Sequence, residues 1–576
     1  MSRPWWKEAT IYQIYPASFL DTTGSGLGDL RGIISKIPYI KSLGVDALWL
    51  SPIFASPQHD MGYDVADYRS IHEPYGSVAD VQDLIDTLHR NNMRLLLDLV
   101  VNHTSSEHAW FKDSRSSKTS PKREWYIWRD PKYDSSGTRK PPNNWKSLFG
   151  GSAWQFDEAT GQYYLSLFLP TQPDLNWENG DMRQAAYADM RFWLDRGVDG
   201  FRIDSMNLMS KWPGLPDGKV VDPNAEFQSG AEFFASGPRM HEYLKEMREE
   251  VFDKYGTGDR DIMTVGELGF AKDEQSVAPY VANDRKELNM VFTGDIADMD
   301  FGPGHKYDRS DFHPRKIRRI TNLWQMAMPK FDGWNAVYLD NHDSGRSLSR
   351  YASDAPEHRA TAAKMLATYM MTLSGTPFLL AGQEIGMANL GKEYGLDAYI
   401  DVEGRNRYNE ILAARGGDHS TMDDFMRELQ LKSRDHGRLP MQWDDSPHAG
   451  FTAADKPWMT VNRDYPGWNV AGQIGDPDSV MGFWKKMIAL RKEYKELFVY
   501  GGYRPLDEEY TGEMVLGYVR ESRGERAVVL LNFSDAEQTV EVKEYQHYAV
   551  LVNEQCGVVE GRATLSPFGA MVLYTA

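Results

Sequence analysis

Cysteine is nearly missing. The 576 residues contain one, Cys556, so no intrachain disulfide can form, and a chain this large without a bridge fits a reducing compartment, the cytoplasm, better than an oxidising one. Positive charge is also scarce: 64 Lys and Arg against 83 Asp and Glu leave a net charge of −19. No cationic field is then available for nucleic acid or anionic lipid. Long apolar runs are missing too. The longest uncharged stretch, 365–380, is interrupted by Ser, Gly and Pro, and the opening MSRPWWKEAT lacks the apolar centre of a signal peptide, so neither a membrane span nor secretion is expected. There is no Gly-x-Ser-x-Gly elbow at a strand end, no Gly-rich phosphate loop, no His-Glu-x-x-His and no Cys-x-x-Cys. Acyl transfer, nucleotide chemistry and zinc therefore have no anchor.

What is present is an α/β rhythm. Short apolar runs at 11–15, 46–50, 94–101, 198–204, 261–267, 288–292, 335–340 and 377–381 are separated by segments long enough for a helix and a loop. Eight runs suit a closed (β/α)8 TIM barrel, while a doubly wound open sheet fits the periodicity equally well. The interval from Thr104 to Asn176 is about twice the usual spacing and rich in Trp, Tyr, Pro and Lys, which predicts a small inserted domain after the third strand. A second long interval, about 387–445, predicts a lid over the strand ends. From about Gly501 the pattern becomes alternating, as in an antiparallel β domain. The expected division is thus 1–103 for the first part of the barrel, 104–176 for the insert, 177–500 for the second part with its lid, and 501–576 for the β domain.

Four of the runs end in acid or imidazole: Asp98 to His103, Gly200 to Asp204, Thr264 to Glu267 and Leu339 to Asp343. Alternation puts Arg202 and Asp204 on one face of their strand and Phe201 and Ile203 on the other. The guanidinium favours an ionised Asp204, and a nearby Glu267 would have its pKa raised by that anion. One ionised and one protonated carboxyl is what hydrolysis of a glycosidic bond requires. Acidic strand ends holding Mg²⁺ are the rival reading from the residues alone.

These segments, Asp98-Leu-Val-Val-Asn-His103, Gly200-Phe-Arg-Ile-Asp204, Val265-Gly-Glu267 and Leu339-Asp-Asn-His-Asp343, resemble in order the four signature segments of the α-amylase superfamily, glycoside hydrolase family 13. Further matches at Ile11 to Pro16, Gly62-Tyr-Asp64, Gln172 to Asn176, Gly382 to Gly386, Ser433-Arg-Asp435 and Pro440 to Trp443 resemble its maltase, isomaltase and oligo-1,6-glucosidase branch. The resemblance implies an exo-acting retaining α-glucosidase working on an oligosaccharide or disaccharide, with no cofactor required and with transfer to sugars as a side reaction. Asp204 would be the nucleophile, Glu267 the acid and base, and Asp343 the stabiliser of the transition state. His103, Arg202 and His342 would bind the glucosyl unit, and Asp64 with Arg434 its far hydroxyls. Tyr63, Phe168 and Gln172 would line the pocket, with Met206 and Asn207 forming part of its wall.

Other implications are finer. In this branch the residue after the nucleophile accompanies linkage preference, and Ser205, small and polar, leans towards α-1,4 bonds such as that of maltose; oligo-1,6-glucosidase (isomaltase) or sucrose isomerase activity on the same scaffold is the alternative. Sucrose isomerases carry an Arg-rich acceptor segment, for which the region 305–322 offers Arg315-Lys-Ile-Arg-Arg319 instead, an argument against isomerisation. The calcium loop of many relatives is reduced here to its end acids, Asp21 and Asp29, with Thr23 and Ser25 where stronger ligands are usual, so no metal is expected to be required, with a structural Ca²⁺ in this degraded loop as the alternative. A non-catalytic scaffold is the remote alternative. Asn102-His103-Thr104 is a glycosylation acceptor pattern inside the expected site, consistent with a chain that never meets a glycosylating compartment.

Overall fold

The computed structural model describes residues 3–256, 260–271, 273–545 and 547–576. All eight apolar runs are parallel strands of one sheet: β1 (Ile11–Ile14), β2 (Ala47–Leu50), β3 (Arg94–Val100), β4 (Gly200–Asp204), β5 (Met263–Leu268), β6 (Met290–Thr293), β7 (Ala336–Val337) and β8 (Thr376–Leu380). Neighbours run β6-β5-β4-β3-β2-β1-β8-β7, and a parallel bridge between Val291 and Asn335 joins the two ends. The sheet is therefore closed, which decides between barrel and open sheet. Its strands are buried throughout apart from positions such as Arg94, Glu267 and Ala336, as expected when helices cover the outside and side chains fill the centre.

Helices stand between consecutive strands, and their ends are written in the sequence. The helix Val78–Arg90 begins at a reciprocal capping box, in which Ser77 Oγ accepts from the Asp80 N–H and the Asp80 carboxylate accepts from the Ser77 N–H. Asn179 caps Gly180–Leu194 in the same way through the Met182 N–H. The run at 335–340 is strand only over Ala336–Val337. Beyond it the side chains take other partners: Tyr338 donates to Thr293 O, and Asp340 accepts from the Ser347 N–H. The chain thereby leaves the ladder just before Asp343.

Between β3 and the helix Gly180–Leu194 lie a three-stranded antiparallel sheet, with Gln162–Leu165 between Trp128–Arg129 and Trp154–Asp157, and a two-stranded ribbon, Lys132–Tyr133 with Arg139–Lys140. After β8 come the helices Val402–Ala414 and Asp423–Lys432. The tail is a six-stranded antiparallel sheet whose longest strands are Ala549–Val559 and Arg562–Thr575. Its first strand, Gly502–Pro505, falls at an edge, where a proline without an N–H is tolerated and where its Gly and Pro hide the alternating pattern.

Arginines tie this sheet to the barrel. Arg318, on the helix Pro314–Ala327, donates to the carbonyls of Gly512 and Val515 and pairs with Glu508 at 2.8 Å, while Arg315 also pairs with Glu508. The Arg315 to Arg319 segment therefore takes part in the contact between this helix and the sheet. Among the described residues no helix is long and apolar enough to cross a membrane.

Candidate active site

The strand ends converge on Arg202. Buried on β4, it stands beside Asp98 of β3 and Val265 of β5 in the sheet register. Its Nη1 donates to Asp98 Oδ1 at 2.9 Å and Asp204 Oδ1 at 2.7 Å, and its Nη2 donates to Glu267 Oε2 at 2.6 Å. One guanidinium thus holds three carboxylates, and in the rigid fork of arginine this fixes their relative positions. The same cation occupies the place where a divalent ion would have to bind the acidic strand ends.

Burial pushes the carboxyl pKa values up and Arg202 pulls them down. Asp204 is raised to about 6, with the Asp98 and Asp343 anions adding to the effect of burial. Glu267 is raised further, to about 7, because burial is reinforced by the anions of Asp204 and Asp343. Asp98, held by Arg202 and by the Tyr63 hydroxyl at 3.0 Å, is raised to about 6 by its burial. Asp343 goes the other way. Burial would raise it, but His342, Arg438 and Arg434 outweigh that and hold it well below the usual carboxylate range. Its Oδ1 accepts from Arg438 Nη2 at 2.8 Å and from Arg434 Nη1 at 3.3 Å.

His342 is buried, which lowers its pKa. Gln13 Nε2 lies 2.8 Å from its Nδ1, so the neutral ring carries its proton on Nε2, facing Asp343 Oδ2 at 3.0 Å and the Tyr63 hydroxyl. The Tyr63 ring stacks on the imidazole with centroids 5.2 Å apart.

These groups open onto a cleft of about 530 Å³, lined by Asp204, Glu267 and Asp343 together with Tyr63, His103, Phe168, Arg202, Ser205 and Arg434. Nine of the fourteen residues expected at the site therefore share one cavity. His342 and Gln172 stand behind its surface. Gln172, fully buried, donates to Asp60 Oδ2 at 3.0 Å and to Tyr63 O at 3.3 Å.

Asp64 is a correction. It is fully buried outside the cavity, where its carboxylate accepts from Ser56 Oγ, the His59 N–H and the Asp60 N–H and so folds its own loop. The acid of that loop that meets Arg434 is Asp60, four residues earlier, which lines the cleft and accepts from Arg434 Nη2 at 3.3 Å; Asp401 at 2.6 Å, Asp343 and Glu403 surround the same guanidinium. Met206 and Asn207 also lie outside the cavity lining. Met206 packs under Gly266, and Asn207 donates to Gly269 O.

Ser205 has a left-handed backbone, φ 42° and ψ 37°, and its N–H donates to Glu267 Oε2 at 3.2 Å. The conformation turns the chain from β4 into the short helix Met206–Leu208 and is the kind of local strain stored at functional sites. Residues missed from sequence include Asp60, Asp98 as a partner of Arg202, Arg438, Phe149, and the pair Lys306 with Glu403, whose Nζ and Oε2 are 3.2 Å apart. Arg438 follows Arg434 by four residues, between the matched segments Ser433-Arg-Asp435 and Pro440 to Trp443, and that spacing was the available signal.

The Asp21 to Asp29 loop does not fit a cation. Asp21 accepts from the N–H groups of Thr23, Gly24 and Gly26 and from Thr452 Oγ1, and Asp29 accepts from Thr22 and caps the next helix at the Gly32 N–H. Their lone pairs are aimed at donors. Among the described residues no group of three or more His, Cys, Asp or Glu is arranged to hold a metal ion.

Comparison with known proteins gives a consistent result. The model of the α-amylase catalytic domain matches residues 13–501. An α-glucosidase of Schizosaccharomyces pombe is 42% identical over 574 residues, covering 99% of this chain and 98% of the relative. An oligo-1,6-glucosidase of Parageobacillus thermoglucosidasius is 45% identical, covering 93% and 91%. Among solved structures, trehalose-6-phosphate hydrolase of Bacillus licheniformis superposes with a TM-score of 0.89 at 41% identity, covering 99% of this chain and all of the other. Isomaltulose synthase of Erwinia rhapontici does so with a TM-score of 0.92 at 37% identity, covering 100% and 99%.

Proposed function

The chain belongs to the α-amylase family, and from that premise we propose that it is an exo-acting retaining α-glucosidase that releases α-D-glucose from the non-reducing ends of short α-glucosides. The observation that carries the reading is the Arg202 clamp, with Asp204 and Glu267 held by one guanidinium at the wall of a cleft that Asp343 also lines.

In the first step the Asp204 carboxylate attacks the anomeric carbon while protonated Glu267 gives its proton to the departing oxygen, leaving a glucosyl ester on Asp204. In the second, Glu267, now a carboxylate, takes a proton from water as the water oxygen attacks the same carbon. The ester breaks, and two inversions restore the α-configuration. Asp343, kept ionised by Arg434 and Arg438, faces the positive charge that develops on the ring in both steps. The raised pKa of Glu267 suits proton donation near neutrality. Asp60 and Arg434 pair in the lining of the cleft, where the family resemblance expects an acid and Arg434 to grip the far hydroxyls of the terminal glucose, and this supports attack from chain ends. Segment 104–176 contributes Phe168 and segment 387–445 contributes Arg434 to the walls, which supports reading the first as an insert and the second as a lid.

Ser205 supports a preference for α-1,4 bonds, and oligo-1,6-glucosidase activity is the alternative. The lone Cys556 supports a reducing, cytoplasmic location. The deciding experiment compares kcat/KM on maltose, isomaltose and sucrose, with and without excess chelator. Release of α-glucose at a rate indifferent to chelator is expected; a chelator-abolished rate would point to the Mg²⁺ reading, and no turnover of any of the three would overturn the assignment.

A further inference from the structure

At the end of the barrel opposite the active site lies a second cleft of about 570 Å³. Its walls come from the segments that precede β1, β7 and β8 and from the antiparallel sheet, and it shares no lining residue with the catalytic cleft. In a chain of net charge −19 it gathers three cations, Arg3, Lys7 and Arg523, against two acids, Asp332 and Glu496. Both acids are taken. Glu496 accepts from both Nη groups of Arg3, one of them at 2.9 Å, and Asp332 accepts from Asn283 Nδ2 at 2.9 Å.

Lys7 is half-buried, and its side chain has no hydrogen bond or ion pair among the described residues. Its Nζ stands over the Trp334 and Trp6 rings, 4.7 and 5.6 Å from their centroids. Burial lowers its pKa, and the charge of Asp332 offsets that only in part. A partly desolvated ammonium with no anion in contact is costly, and an anion in the cleft would remove the cost. Arg523 is equally out of place. With Gly524 it forms the two-residue turn between the strands Val515–Ser522 and Glu525–Asn532, at φ 51° and 99°. Two left-handed residues in such a hairpin favour Asn-Gly, so an arginine in the first place is strained. It lines the cleft 75% exposed, 3.6 Å from a Glu496 that Arg3 already holds. The turn has no use for a guanidinium there, whereas an anion in the cleft has. Cations that reach one cleft from two elements suit a tetrahedral group, with oxygens on several sides, better than a planar carboxylate.

We propose that this cleft binds a phosphate group, as free phosphate or as a small phosphate monoester, between Lys7 and Arg523. The site does not rest on the glycosidase reading. Its test is calorimetry of the full chain with inorganic phosphate, glucose 6-phosphate and glucose, at one ionic strength set by chloride, for the native protein, Lys7→Met and Arg523→Asn. The native protein should bind phosphate in one or both forms, and each variant should bind it about tenfold more weakly or worse, while any binding of glucose stays unchanged. A preference for glucose 6-phosphate assigns a monoester, and equal binding assigns free phosphate. Arg523→Asn installs the residue that the turn favours, so it should melt no lower than the native protein, and it keeps the test open should Lys7→Met fail to fold. No heat beyond the chloride blank overturns the site. So does phosphate binding that neither variant weakens, which would place the anion elsewhere, the catalytic cleft included.

Discussion

Arg202 answers two questions that look separate, how Asp204 stays ionised in a buried place and how Glu267 stays near it with a proton. The guanidinium lowers both pKa values against burial, and the anion of Asp204 then raises that of Glu267 above its own, about 7 against about 6. The pair titrates as a unit, so activity follows two apparent values. It should rise with pH as the first proton leaves near 6 and fall as the second leaves near 7, a narrow bell measurable as kcat/KM on an aryl α-glucoside. Glu267→Gln should remove the falling limb and cost several orders of magnitude with a poor leaving group, less with an activated aryl one; an unchanged upper limb would mean another group is the acid. A second contrast lies in the acids of one loop. Asp60→Asn removes one of the carboxylates that meet Arg434 within the cleft and should lower kcat/KM at least tenfold, chiefly through weaker binding of the terminal glucose. Asp64→Asn instead disturbs three hydrogen bonds inside the loop and should show mainly as lost stability, about 1–3 kcal/mol by denaturant titration.

Elements carry the next level of precision. The alternation of β4 aims Arg202 and Asp204 inward together, and the left-handed Ser205 that follows both ends the strand and gives its N–H to Glu267. A β-branched residue is strained at positive φ, so Ser205→Val combines backbone strain with added bulk in the cleft lining. If bulk at this position governs linkage, Ser205→Val should raise the ratio of isomaltose to maltose turnover by about tenfold, whereas Ser205→Gly, which relieves strain without adding bulk, should leave it within twofold. Equal shifts in both variants would trace the effect to backbone strain alone. The same scale shows what was legible in sequence. Strand runs could be read because a strand buried on both faces is an unbroken apolar run, and the acids at their ends could be read because polar groups there face one cavity. Asp60 was overlooked in favour of Asp64 because two acids four apart in an irregular loop carry no periodicity to say which one turns inward. Lys146 and Glu410, more than 250 residues apart, come within 3.6 Å of each other, and nothing local marks such a meeting.

At the scale of the whole molecule, the antiparallel sheet is fastened to the barrel by buried arginines that end on backbone carbonyls. Arg520, on the sheet, donates to Leu497 O, Phe498 O and Gly501 O, while Arg491, on the preceding helix Val480–Glu493, ties elements of the barrel itself by donating to Met371 O, Leu373 O and Gly375 O; both are kept from water with pKa values pushed down by burial, to about 10 and about 9. A cation in that position satisfies orphan carbonyls at element ends, so its removal leaves several acceptors unpaired at once. Arg318 does the same from the helix between β6 and β7, and that helix has its other face on the barrel. Arg318 therefore fastens the sheet to this helix through one side chain. Arg318→Met keeps most of the apolar stem while stripping the donors, and it should cost about 2 kcal/mol or more. The expected reading is earlier cleavage within the sheet, residues 502–575, under limited proteolysis and a lower temperature of half-inactivation, with kcat of the intact fraction nearly native. Arg315→Ala, which removes an exposed pair to the same Glu508, should change neither by much. If Arg318→Met instead lowered kcat at full resistance to proteolysis, the sheet would be acting on the catalytic end of the barrel and not as a fastening beneath it.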